Sequence, residues 1–92
     1  MTKANVLIDN DKVKVTDWSF EIGDSTGHHV HEYSYIVIPM FDGELKILDK
    51  NNIETIPKLS KGETYYRDKL EEHNVFNNNN SPYSFIEIEL IK

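Results

Sequence analysis

Apolar residues recur at every second position in short runs along the chain: VLI at 6–8, VKVTDWSFEI at 13–22, HHVHEYSYIVI at 28–38, ELKILD at 44–49, NIETI at 52–56, ETYYR at 63–67, HNVFN at 73–77 and YSFIEIELI at 83–91. Such alternation gives an extended strand one apolar face and one polar face. Each run is rich in Val, Ile, Tyr, Phe or Trp, which suit a pleated, half-buried surface. Turn signals separate the runs: Gly23 to Gly27, Asp42-Gly43, Lys50-Asn51-Asn52, Ser60-Lys61-Gly62, and the tract Asn77 to Asn80 leading into Ser81-Pro82. No segment holds ten or more residues at helical period, although Lys69 to Glu72 has room for a single turn. Eight strands at spacings of about 8 to 12 residues predict an all-β antiparallel sandwich or barrel. Trp18, Phe20 and Ile22 share one face and read as core or as contact with a second chain. The asparagine tract reads as a surface hairpin loop. Neither an internal repeat nor a linker divides the chain, so one domain is expected over residues 1–92.

Size and charge narrow the partners. A chain of 92 residues buries only about 60 to 65% of its unfolded surface, which leaves a thin core and makes a homodimer the expected remedy. The absence of cysteine removes disulfides, thiolate metal sites and cysteine nucleophiles together, so imidazole, carboxylate and hydroxyl must carry any chemistry. The start, MTKANVLIDNDK, has polar or charged residues every few positions and supplies neither a signal peptide nor a membrane span, so a cytoplasmic protein is expected. Lys and Arg total 10 against 16 Asp and Glu, with Arg67 the only arginine. A net charge of −6 repels a phosphate backbone and argues against nucleic acid as a partner.

Three of the four histidines lie within residues 28–31. On a strand, residues two apart share a face with roots roughly 6.5 Å apart, so His29 and His31 face one way while His28 faces the other, toward surface or interface. Two imidazoles so spaced can converge on one ion at about 2.0 to 2.1 Å per nitrogen. The alternative puts both in solvent at a strand end.

Counting onward gives a pattern. Gly23 is followed by five residues, His29, one residue and His31, with Gly43 after the strand; Gly62 is followed by ten residues, His73, three residues and Asn77. The first stretch resembles the first cupin motif, G-x5-H-x-H-x3,4-E-x6-G. The second, GETYYRDKLEEHNVFN, resembles the second, G-x5-P-x-G-x2-H-x3-N. The resemblance spans residues 13–90, and its short intermotif stretch, 44–61, is like that of small single-domain members. It implies a double-stranded β-helix, or jelly-roll barrel, with a divalent metal inside, and carries metal binding onto His29, His31 and His73. Two departures stand out. Asp68 and Leu70 replace the proline and second glycine of motif two, which should alter the turn before His73. The motif-one glutamate is also missing: by parity its place falls at Tyr35, and counted back from Gly43 it falls at Ile36. In this respect HEYSYIVIP is similar to the branch of small cupins associated with β-alanine breakdown, where an aromatic stands at this position.

Three neutral imidazoles leave a divalent ion its full charge and open coordination positions, which favours a small anionic, bidentate ligand. Three-histidine iron sites among cupins include thiol and diketone dioxygenases. The resemblance therefore points first to iron and a dioxygenase-like enzyme acting on a small carboxylate or enolisable metabolite; zinc, nickel, copper, cobalt and manganese suit the same ligands. Tyr35 is a candidate proton donor or hydrogen-bonder to bound substrate, or simply a barrel-filling aromatic. Of Tyr65, Tyr66 and Arg67, which run along the strand leading toward His73, one is expected to line the pocket, with Tyr65 and Arg67 the candidates for substrate contact and Arg67 suited to clamp a carboxylate if it is not merely a surface cation. Glu32, Glu71 and Glu72 read as a solvated face. Glu87 and Glu89 read as the wet side of an edge strand unless Glu87 turns inward as a substitute carboxylate. A non-catalytic binding module, or a purely structural barrel without metal, remains the alternative to an enzyme.

Overall fold

The computed structural model describes residues 2–92. Its strands are β1 (Lys3–Asp9), β2 (Val13–Phe20), β3 (Ser25–Val30), β4 (Tyr35–Pro39), β5 (Gly43–Asp49), β6 (Glu54–Thr55), β7 (Lys58–Leu59), β8 (Tyr65–Arg67), β9 (Glu72–Asn77) and β10 (Tyr83–Leu90). All pairings are antiparallel, in two sheets ordered β1-β2-β10-β4-β8 and β3-β9-β5-β6, with β7 added to β5. From β2 onward the chain crosses back and forth between the sheets, which is the jelly-roll winding of a double-stranded β-helix. Among the described residues there is no helix, and none is long and apolar enough to cross a membrane.

Alternation builds the interior. Phe20, Tyr35, Val37, Leu45, Val75, Tyr83 and Phe85 form the buried core, with Trp18, Ile47, Leu59 and Tyr65 packed against it. Burying each large apolar side chain contributes about 1.5–3 kcal/mol, so a core this thin leaves little excess. The end of the barrel under Tyr83 is tied by asparagine. Asn77 donates from Nδ2 to the carbonyls of Glu21 (3.1 Å) and Ser81 (2.9 Å). Asn79 accepts from the Glu44 N–H (2.9 Å) and donates to the Glu44 carbonyl (2.9 Å). The tract is a hairpin loop as expected, but Asn77 within it is buried structure rather than surface.

Several expectations change. The run at 28–38 is two strands, because the chain leaves the ladder at residues 31–34 and re-enters in the other sheet. Ile22 lies beyond the end of β2 and is exposed, so it does not share the core with Phe20. β10 is the middle strand of its sheet, between β2 and β4, and not an edge; its buried face is Tyr83, Phe85 and Glu87. The segment 69–72 makes no helical turn. The turn there keeps the geometry that glycine gives easily: Leu70 adopts φ 72°, with its side chain 72% exposed. Two backbone hydrogen bonds hold it in place, Leu70 N–H to the His31 carbonyl (2.7 Å) and His31 N–H to the Glu71 carbonyl (3.0 Å).

A leucine in the left-handed region costs roughly 1–2 kcal/mol, part of which a glycine returns as extra freedom of the unfolded chain. Leu70→Gly should therefore raise stability by about 0.5–1 kcal/mol, read as a higher urea midpoint with an unchanged slope; an unchanged or lower midpoint contradicts the strain.

Candidate metal centre

β3 and β9 run side by side with His29 directly opposite His73. His31, one residue past the end of β3, is brought back over them by its two backbone bonds to the 70–71 turn. The result is convergence. Nε2 of His31 lies 3.0 Å from Nε2 of His29 and 3.0 Å from Nε2 of His73, and the ring centroids are 4.6 to 5.0 Å apart, edge to face. His31 and His73 are 7% and 6% exposed.

The protons around these rings identify what the trio accommodates. His29 donates its Nδ1–H to the Gly27 carbonyl (2.9 Å), which leaves its Nε2 as a bare lone pair. Thr26 braces this arrangement by accepting the Val75 N–H (3.1 Å) with its hydroxyl, which lies 3.3 Å from His29 Nδ1. Burial, and next the neighbouring His29, lower the pKa of His31 to about 4; burial, then His29 and His31, lower that of His73 to about 3. Both rings are therefore neutral at physiological pH. One N–H on His31 Nε2 could serve only one of its two neighbours, whereas a single cation satisfies all three lone pairs. The three histidines are also the described metal-ligating group, with ligand atoms all within 4.8 Å of one another. The donor set fits a divalent metal ion.

The trio forms one wall of a cavity of about 420 Å³, also lined by Tyr35, Tyr65, Arg67, Glu71 and Glu87. Tyr35 is buried, with its ring stacked on His31 at 4.0 Å between centroids and its hydroxyl 3.5 Å from Glu71 Oε2. Burial raises its pKa well above the ordinary tyrosine range, with the Glu71 charge adding to the effect, so the hydroxyl acts only as a neutral donor or acceptor. Tyr65 is half-buried and likewise pushed up, to about 12, mainly by burial. Arg67 is both things the sequence allows: exposed, and part of the lining. Its guanidinium sits 4.6 Å over the Tyr65 ring and its Nε is 3.9 Å from Glu71. His28 points away as parity predicts and pairs with Glu72 at 2.5 Å.

Two acids occupy places other than those the sequence suggests. Glu71 is half-buried rather than part of a solvated face, and its Oε1 lies 3.7 Å from Nδ1 of His73, a buried nitrogen with no hydrogen bond. The signal was parity: residues 71 and 73 share a face. Glu87 turns inward, but it does not join the three-histidine group, so it does not replace the missing motif glutamate as a ligand.

No family model matches the chain. A barrel of this winding with histidines converging inside it is the architecture of a cupin, and similarity to known proteins agrees. A cupin domain from Bordetella pertussis Tohama I, known from a crystal structure, is 38% identical, superposes with a TM-score of 0.93 and covers 97% of this chain and 92% of its own. The beta-alanine degradation protein BauB of Pseudomonas aeruginosa is 38% identical over 85 residues, 92% of this chain and 88% of that protein. The chain belongs to the cupin superfamily. A cupin family protein of Methanocaldococcus jannaschii, at 14% identity and a TM-score of 0.80 over 98% of this chain and 80% of its own, shares the fold.

Acid should test the buried rings. In the unfolded chain His31 and His73 take up protons as pH falls through 6.5, while the fold holds them neutral to about 4 and about 3, so their contribution is complete above pH 6.5 and declines below it. Glu87 runs the opposite way, its pKa raised by burial to about 7. The histidine share is therefore read as a difference: between pH 7.5 and 5, metal-free wild type should lose about 2–4 kcal/mol relative to His31→Gln/His73→Gln in urea unfolding. Parallel pH profiles of the two proteins contradict it.

Proposed function

We propose that the protein is a metal-dependent enzyme of dioxygenase-like type, with iron held by His29, His31 and His73 and a small carboxylate or enolisable metabolite as substrate. The observation that carries this reading is the convergence of three imidazoles on one point at a cavity wall, two of them, His31 and His73, buried. His29, His31 and His73 would hold the ferrous ion, which would supply Lewis acidity and one-electron chemistry with oxygen. The protein's own residues do the rest. Tyr35 fixes the plane of His31 by stacking on it and offers its hydroxyl as a hydrogen-bond donor at the histidine end of the cavity. Arg67, steadied by the Tyr65 face, presents its guanidinium to the acid group of a substrate. The beta-alanine degradation role carried in the name of the Pseudomonas aeruginosa relative supports a small metabolite as the ligand.

Metal content decides the reading. Protein made without added metal or a metal-affinity tag should carry close to one metal per chain by mass spectrometry; none, there or after offering divalent ions to apoprotein, sinks it. Anaerobic ferrous loading should yield a nitric-oxide adduct signal that His73→Ala abolishes. Glu71→Ala should weaken metal binding about 10- to 100-fold by removing the carboxylate that lies 3.7 Å from His73 Nδ1, measured by chelator competition.

We further propose that the working form is a homodimer built on the outer face of the β1-containing sheet. Register places Ile8, Val15, Ile88, Ile36 and Tyr66 in one row across that face, where an exposed sheet ordinarily carries polar side chains. Ile8 and Tyr66 are exposed in the single chain. Sedimentation should give twice the chain mass at micromolar concentration, and Ile8→Lys should shift it toward the monomer; a monomeric wild type contradicts this.

A further inference from the structure

Glu87 is unlike the other acids. Among the described residues it is the only buried acidic side chain, 7% exposed, and no hydrogen bond or ion pair holds its carboxyl. The indole N–H of Trp18 is near enough to favour the ionised form, yet it makes no hydrogen bond. Burial, with repulsion from Glu89 second, raises the pKa of Glu87 to about 7. The residue lines the cavity, so a bound group can take its carboxyl as a hydrogen-bond acceptor.

Sheet register shows where the carboxyl stands. Thr16, Glu87, Val37 and Tyr65 are successive cross-strand partners on β2, β10, β4 and β8. One step along the same face runs the row Lys14, Glu89, Tyr35 and Arg67, and one step the other way stand Trp18 and Phe85. The cavity-facing side of this sheet is therefore layered: a charged rim, a middle layer in which Glu87 is the acidic member, and an apolar floor. The histidine trio belongs to the other sheet pair and to the turn beyond it, across the cavity.

We propose that Glu87 is a ligand-reading residue: its carboxyl accepts a hydrogen bond from a hydroxyl or amine on a short carboxylic acid whose acid end lies toward the three histidines and Arg67. The inference rests on reading the cavity as a small-carboxylate site, and adds that the site selects bifunctional molecules over plain acids of the same length. Neutral and ionised carboxyls both carry acceptor lone pairs, so a hydroxyl is read in either state and an ammonium group most strongly in the ionised one. Of the charges around Glu87, Glu89 repels and Lys14 attracts its ionised form; Glu32, Glu71 and Arg67 line the same cavity, as do the neutral hydroxyls of Tyr35 and Tyr65.

Calorimetry on zinc-loaded protein at pH 7.5 tests this with acetate, propanoate and butanoate, each plain and with a terminal hydroxyl or amine. At one chain length or more, the substituted acid should bind at least tenfold tighter than the plain one. Glu87→Leu, close in volume, should fold with a thermal midpoint at or above that of wild type and bind the pair equally within about twofold. Glu87→Gln should keep the hydroxyl preference through its amide carbonyl. If plain acids bind and wild type shows no preference, or the preference survives in Glu87→Leu, the inference is wrong while the carboxylate site stands. If none of the acids binds, both fall together.

Discussion

The antiparallel pairing of β3 with β9 is the contact on which the site depends. It sets His29 against His73 at adjacent backbones, and no choice of side-chain rotamer could bring these rings together if the register slipped by one residue, since a slip turns a whole face outward. The third ring arrives by a different route. His31 has left the ladder and is returned to it by main-chain hydrogen bonds to the turn before β9. Two sequence-distant segments therefore make one site through backbone geometry, and the imidazoles occupy positions that the backbone has already fixed.

The cavity is chemically two-sided. One wall is imidazole, with His31 and His73 held neutral by burial; the other is a sheet whose inward residues run from charged to apolar. A metal on the first wall would give positive charge near Tyr35 and Arg67, while Glu87 and Glu89 are the acids of the facing sheet. The barrel thus keeps a gradient of polarity in a space of about 420 Å³, and a molecule with unlike ends has one favourable orientation in it.

Much of this was legible from residue order. Period-two alternation marked the strand-forming runs, spacing paired His29 with His31, and the resemblance to the two cupin motifs added His73. What escaped had identifiable causes. The break at residues 31–34 carries no glycine or proline, and its β-favouring neighbours hide it. The position of β10 at the centre of its sheet depends on pairings with β2 and β4, far away in sequence, so the direction of Glu87 could not be fixed by alternation alone: Ile86 and Ile88 made the opposite face look like the core. Glu71 shares parity with His73, but its surroundings, Asp68, Lys69 and Glu72, look like a solvated turn. Local pattern locates strands; which of two half-apolar faces becomes the inside is settled by long-range pairing.

The clasp between His31 and residues 70–71 consists only of amide and carbonyl groups, which nearly every amino acid supplies. The clasp therefore forms with Asp68 and Leu70 where the motif has proline and glycine, and what the change of residue costs is the backbone strain at Leu70. Length is not free in the same way. Insertion of one residue between Leu70 and His73 would change the reach from the strand to the two bonded groups, so the turn can be rewritten there but not lengthened without unfastening His31.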